Sequence, residues 1–228
     1  VREHCMLAPR GALYIGRDDD EPAIEAFIRR FADSGVSIER LGRAALERRV
    51  PGISPAWRHA VHEPACADID VAGLHPHYLA GASARGAELR CRARLEVAEP
   101  SGDGWRLSFG RAGEARARML VNAAGAWADP VAALAGARPL GIQPLRRTVA
   151  QLRTAPPPPT DLPLVLDISG AFYFKPEHGK LWLSPHDETP WPACDAAPEE
   201  LDIALAIDRF EQVVDWRIEA VENKWAGL

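Results

Sequence analysis

No glycine-rich nucleotide fingerprint occurs in this 228-residue chain. Both GxGxxG and GxxxxGK[ST] are missing, so the usual backbone cradles for a dinucleotide or a triphosphate have no sequence signature. GxSxG is missing too, which leaves a hydrolase triad without its nucleophile elbow. The cysteines Cys5, Cys66, Cys91 and Cys194 form no CxxC pair and no secreted disulfide framework, and they read as buried thiols of a reducing compartment. HExxH and Cys/His constellations are absent as well. His59 and His62, three apart, and His75 and His77, flanking Pro76, therefore read as ordinary polar residues, and no metal site is expected.

Lysine is scarce: Lys175, Lys180 and Lys224 are the only three among 27 basic residues. The arginine and alanine excess reads as the stamp of a GC-rich genome. With a net charge of -5 and no basic run, a nucleic-acid surface is disfavoured. No apolar run reaches membrane-spanning length, because the most apolar stretch, 119–136, is broken by Asn122, Asp129 and Pro130. Hydrophobic residues at 47% and charged residues at 26% fit a soluble globular protein, expected in the cytoplasm. The chain opens on "VREHCML", a loop leading into a strand, and closes on "ENKWAGL", a strand cut short; the expectation is a fragment.

What is present alternates between strand and helix patterns. Strands are expected at 11–17, 88–98, 104–109, 115–122, 142–153, 163–168, 171–175, 180–184 and 216–226. Ile24, Phe27, Ile28 and Phe31 set a helix over 21–34, and Ile203, Ile207, Phe210 and Val214 set another over 198–214. A short helix is expected over 40–49. Asp70 is placed to cap a helix that ends at Gly86 and carries Pro76 awkwardly inside it. A further short helix follows "LVNAAGAWAD" (120–129). The fold class is α+β, with mixed α/β character: a large mixed sheet with flanking helices, interrupted by an inserted portion.

Four stretches carry candidate chemistry. "LVNAAGAWAD" is a strand end followed by small residues, suited to the close approach of a ligand to backbone. In "QPLRRTVAQLR", Arg146 and Arg147 point to opposite faces, so one guanidinium can enter a pocket and grip a carboxylate through two parallel hydrogen bonds; the plainer reading is a surface charge pair. In "GAFYFKP", Phe172 and Phe174 share one face while Tyr173 and Lys175 share the other, where a tyrosine hydroxyl can orient a substrate or simply finish a sheet surface. "SPHDET" gathers His186, Asp187 and Glu188, which read first as a polar loop.

Four segments taken together resemble the D-amino acid oxidase superfamily of FAD-dependent oxidoreductases: "ADIDVAGLHPHYLAGASARGAEL", "LVNAAGAWADPVAALAGARPLGIQPLRRT", "LVLDISGAFYFKPEHGKLWLSP" and "WAGL". Within it, the pattern is most similar to the D-arginine dehydrogenase branch, through "RPLGIQPLRR", "FYFKP", "PEELDIA" and "WAGL". The resemblance implies a substrate domain from residues 1–62 and 141–228, and a partial Rossmann-type FAD-binding domain from 63–140. It implies cofactor contacts at Leu95, Ala123, Ala124, Gly125 and Trp127. It places Tyr173 and Arg147 at the active site, and Leu164, Leu166 and Ala12 on the wall of the substrate pocket. FAD is implied for the full-length protein and not for this piece, which is expected to be inactive alone.

The implied reaction oxidises the CH–NH bond of a D-amino acid or related amine by hydride transfer to the flavin. Alternatives are a 2-hydroxy acid or N-methyl amino acid substrate, or a catalytically inert domain. The partner is a small-molecule amino acid or amine, and neither the oligomeric state nor a general base follows. Ala12 stands where the branch carries an acidic residue, so D-arginine and D-lysine are not expected as preferred substrates.

Overall fold

The computed structural model describes residues 5–228; the loop expected at Val1–His4 lies outside them. In chain order the elements are β1 (Leu7–Pro9), β2 (Ala12–Gly16), α1 (Glu21–Phe31), β3 (Glu39–Leu41), α2 (Arg43–Arg49), β4 (His59–Glu63), β5 (Ala67–Ile69), α3 (Val71–Ala84), β6 (Val97–Ser101), β7 (Gly104–Ser108), β8 (Glu114–Ala117), α4 (Ala128–Leu134), β9 (Leu145–Ala155), β10 (Leu164–Asp167), β11 (Tyr173–Glu177), β12 (Lys180–Ser184), β13 (Thr189–Pro190), α5 (Glu200–Glu211) and β14 (Arg217–Gly227). This is the mixed α+β class expected from the pattern. The chain forms two compact units. One comprises the residues up to Leu74, Arg146–Thr189 and Ala196–Gly227; the other comprises His75–Leu145 and Pro190–Asp195.

The first unit is built on a large mixed sheet in the order β13-β9-β12-β11-β10-β2-β4-β3, with β14 also pairing β9. The β2–β10 pair is parallel, while β11, β12, β9 and β4 join antiparallel. Alternation sorts the strands into two faces. Leu13, Ile15, Val165, Phe174, Leu181, Leu183 and Leu152 fill one face, and α5 covers it with Ile203, Ala206 and Phe210. Phe174 meets Phe210 edge to face at 5.1 Å, and Phe210 meets Trp216 at 6.1 Å.

α1 buries Ile24 and keeps Arg29 and Arg30 in its last turn, where they complement the helix dipole. The helix expected over 40–49 is split. Glu39–Leu41 pairs with β4, and only Arg43–Arg49 is helical. Edge pairing decides the backbone there, because three residues in a ladder have their N–H and C=O groups satisfied without a turn. Val214 leaves the apolar stripe of α5 and bridges to Ile53 instead.

The second unit holds the antiparallel sheet β6-β7-β8, with α4 and most of α3. Asp70 caps α3 as its position required, its Oδ1 accepting the Gly73 N–H at 2.8 Å. The helix runs through Pro76 and has no buried residue. Two expectations need correction. The strand expected over 88–98 begins only at Val97, and the one expected over 115–122 ends at Ala117. The alternating pattern before Val97 and the apolar run after Ala117 extend past these limits, but no neighbouring strand in this sheet pairs with them, and an unpaired extended segment is not a strand.

Candidate functional site

The core-opposed face of the large sheet gathers residues that lie far apart in sequence. Cross-strand partners point to the same side of a sheet, so register alone settles which side chains share it. Ala12 stands opposite Leu164, and Leu166 stands opposite both Tyr14 and Tyr173. Lys175, two residues on from Tyr173, stands opposite Trp182, which stands opposite Gln151. Arg147 shares the parity of Gln151 on β9 and pairs with Gly227. Ala12, Leu164, Leu166, Tyr173 and Arg147, all expected in a substrate pocket, thus lie on one face of one unit. Arg146, on the opposite side, is buried (2%) and engages Asp202 at 2.5 Å and Glu199 at 3.0 Å. The two adjacent arginines are therefore divided between core and face by the pleat.

The face is partly charged and fully organised. The Arg147 Nε donates to the Asp187 carbonyl at 2.7 Å, and its terminal nitrogen pairs with Glu188 at 3.0 Å. Lys175 bonds to Asp68 and to Glu177, each at 2.8 Å, and lies 5.1 Å over the Trp182 ring. Trp182 meets Trp225 edge to face at 5.0 Å. Burial alone would raise the Asp68 carboxyl, but hydrogen bonds from Lys175 and Arg10 more than offset it and hold the group below its ordinary value. Burial would lower the Lys175 ammonium, and its bonds to Asp68 and Glu177 raise it instead. This network lines an open cavity of about 860 Å³ together with Trp182 and Val71.

Sequence reading missed Arg10, Asp68, Trp182 and Glu63 here. Glu63 is the informative omission. It stands directly across the β2–β4 ladder from Ala12, so the face gains a carboxylate that position 12 does not supply. The period-2 pattern of "HAVHE" was the available signal, and the strand was too short and polar to register.

The loop expected to approach a cofactor lies in the second unit. Ala123 and Gly125 are exposed and Ala124 is half-buried. The Asn122 side chain locks the loop, its Oδ1 accepting the Ala124 N–H at 3.2 Å and its Nδ2 donating to the Ala128 carbonyl at 2.8 Å. Gly125 has φ +54, and a Cβ built there meets nothing within 4 Å. Trp127, expected beside the loop, is 44% exposed in the turn leading into α4. Leu95 is half-buried in the irregular segment before β6, not within a strand as expected. The loop also does not follow a strand directly, since six residues separate Ala117 from Ala124. Farther along, the Asp129 carboxylate accepts the N–H groups of Leu140, Gly141 and Ile142, each at 2.9 Å. Among the described residues, no group of three or more His, Cys, Asp or Glu is placed to hold a metal ion, and no helix is long and apolar enough to cross a membrane.

The fold has counterparts among known proteins. The FAD dependent oxidoreductase (DAO) family matches residues 1–228, and the chain belongs to that family. Its fold is shared with L-proline dehydrogenase from P. horikoshii, at a TM-score of 0.80 and 20% identity, over 97% of this chain and 60% of that one. Glycine oxidase from Geobacillus kaustophilus matches at a TM-score of 0.78 and 17% identity, over 97% of this chain and 59% of that one. L-alpha-glycerophosphate oxidase from Mycoplasma pneumoniae, with FAD bound, matches at 0.84 and 13%, over 97% and 61%. The chain thus spans about 60% of the length of these structures.

Proposed function

We propose that the intact protein is an FAD-dependent oxidoreductase that oxidises the CH–NH bond of a D-amino acid or related amine. The observation that carries this reading is the single face shared by Tyr173, Arg147, Leu164, Leu166 and Ala12. FAD, when bound, supplies the redox chemistry by accepting a hydride. The fit for the cofactor rests on the Ala123–Gly125 backbone: it is exposed, pinned by Asn122, and at Gly125 has the left-handed conformation and open flank that a closely approaching group needs. Those residues, with Leu95 and Trp127, would hold it.

The chain's own contribution is binding and orientation. Tyr173 offers a hydroxyl and Arg147 a guanidinium for the substrate carboxylate; Arg147 gives up its bond to the exposed Glu188 more readily than it gives up the Asp187 carbonyl. Leu164 and Leu166, both half-buried, form an apolar wall for the substrate side chain; Ala12 shares their face and is itself buried. The apolar, exposed surface of α3 suits a helix covered by further chain in the intact protein.

The test uses the intact protein, loaded with FAD and mixed anaerobically with D-amino acids, N-methyl amino acids and 2-hydroxy acids while flavin absorbance is followed. Bleaching by D-amino acids with apolar side chains is the expected result. Bleaching by hydroxy acids alone would overturn the amine assignment. D-arginine as the best substrate would overturn the apolar wall and assign the charge contact to Glu63.

A further inference from the structure

His186 is the residue of this face that the proposed function leaves unused. Its ring meets Tyr173 edge to face, with centroids 5.4 Å apart. Its backbone is left-handed (φ 56), a conformation that costs a side-chain-bearing residue energy and persists only when surroundings enforce it. The enforcement is visible on both sides. The His186 N–H donates to Ser184 Oγ at 3.1 Å, and the Pro185 carbonyl accepts from Arg209 of α5 at 3.0 Å. Next along the chain, the Asp187 carboxylate takes the Thr148 N–H at 2.7 Å and the Thr148 hydroxyl at 2.9 Å. The backbone that carries the imidazole is thus held by β12, α5 and β9.

Its two nitrogens are not equivalent. Nδ1 is buried without a hydrogen-bond partner, facing Gly170, where a Cβ would lie 3.7 Å away. Nε2, by contrast, is not a buried atom left without a partner. An orphaned N–H is rarer in proteins than an orphaned acceptor, so the lower-cost neutral tautomer carries its proton on Nε2 and leaves Nδ1 bare. Protonation would add a buried N–H with nothing to accept it. Burial pushes the imidazole below its ordinary value, the Arg147 guanidinium on β9 pushes the same way, and Glu188, Asp187 and Asp167 oppose them. Around neutral pH the ring therefore presents an uncharged Nε2–H donor beside Tyr173.

We propose that His186 is a further substrate-contacting residue, its Nε2–H completing, with the Tyr173 hydroxyl and the Arg147 guanidinium, a three-donor cradle for a carboxylate. The proposal rests on the reading that this face binds substrate, but it does not require the substrate to be an amine. A carboxylate placed there reverses the electrostatics. It adds negative charge beside the imidazole, raises its proton affinity, and by linkage binds more tightly as pH falls.

The test is acetate binding to the intact FAD-loaded protein, read by the NMR titration of the His186 ring and by the acetate Kd between pH 8 and pH 5. Acetate is expected to shift the His186 titration upward by about one unit, and its affinity to rise about tenfold over that range. In His186→Gln, which keeps a donor amide but cannot titrate, the pH 8 affinity stays near wild type and the rise disappears. In His186→Leu the pH 8 affinity falls about tenfold. A His186 titration unmoved by acetate, or an unchanged pH rise in His186→Gln, overturns the proposal. Amine turnover with an acetate-blind His186 overturns this inference alone, whereas acetate coupling without amine turnover overturns the amine assignment alone.

Discussion

The two units bury apolar surface in contrasting ways. The continuous core of Leu13, Phe174, Leu183, Phe210 and their neighbours belongs wholly to the first unit. The second contributes only Ala98 and Leu107 to the buried hydrophobics, while Tyr78, Leu89, Met119, Val121 and Leu140 are exposed. Their compositions do not explain the difference. α3 is nearly all apolar or small, yet buries nothing, because a helix without a facing layer has no surface to pack on. A hydrophobic sequence specifies a core only where a partner surface is supplied. On the proposed reading, the first unit supplies its own and the second takes it from the rest of the protein.

The largest expected effect would break this contrast outright. Phe174→Ala should destabilise the first unit by about 3–5 kcal/mol, while Val121→Ala should change stability by less than about 0.5 kcal/mol. Urea denaturation followed by tryptophan fluorescence compares the two, and equal losses would mean that the second unit has a packed core after all. Next comes the face itself. Tyr173→Phe should lower kcat/KM of the intact FAD-loaded protein by about 10–100-fold through a lost hydrogen bond to charge, with folding unaltered.

The sheet face also carries a stability signature. Asp68→Asn should cost about 2 kcal/mol, because Arg10 and Lys175 both lose an ionised partner. The Asp68 carboxyl is held below its ordinary value in the folded state, so its contribution is present above the unfolded carboxylate range and is lost as pH falls through the folded value. Acid titrations should therefore show a steeper loss of stability in wild type than in Asp68→Asn. The smallest effect belongs to the second unit. Gly125→Ala forces a Cβ into left-handed backbone at about 1–2 kcal/mol. It should weaken FAD binding by about tenfold in the intact protein and leave the urea midpoint of the first unit unchanged.

The sequence was legible where one pattern acted alone. The alternation in "GAFYFKP" put Tyr173 and Lys175 on one side, and the stripe in α1 gave its buried Ile24. It was illegible where a long-range partner decided the outcome. β3 became a strand because β4 pairs with it, and residues 118–122 did not because no strand pairs with them. The pair Arg146 and Arg147 lies between these cases. Their opposite directions follow from the pleat, but the side that is core depends on Asp202 and Glu199, 56 and 53 positions away from Arg146. Glu63 was hidden for the same reason, since it gains meaning only from Ala12 on another strand, and His186, visible in "SPHDET" but read first as part of a polar loop, gains its meaning from Tyr173.

The Asp129 carboxylate, gripping three consecutive amides, works as a built-in counter-anion. Successive backbone N–H groups in such a concavity ordinarily recruit phosphate. Here the chain occupies its own nest, so Leu140–Ile142 is closed to an external anion and is tied to the first turn of α4. Any phosphate that visits the second unit must look elsewhere, and the amides around Ala123–Gly125 carry no such internal plug beyond the single bond that Asn122 makes.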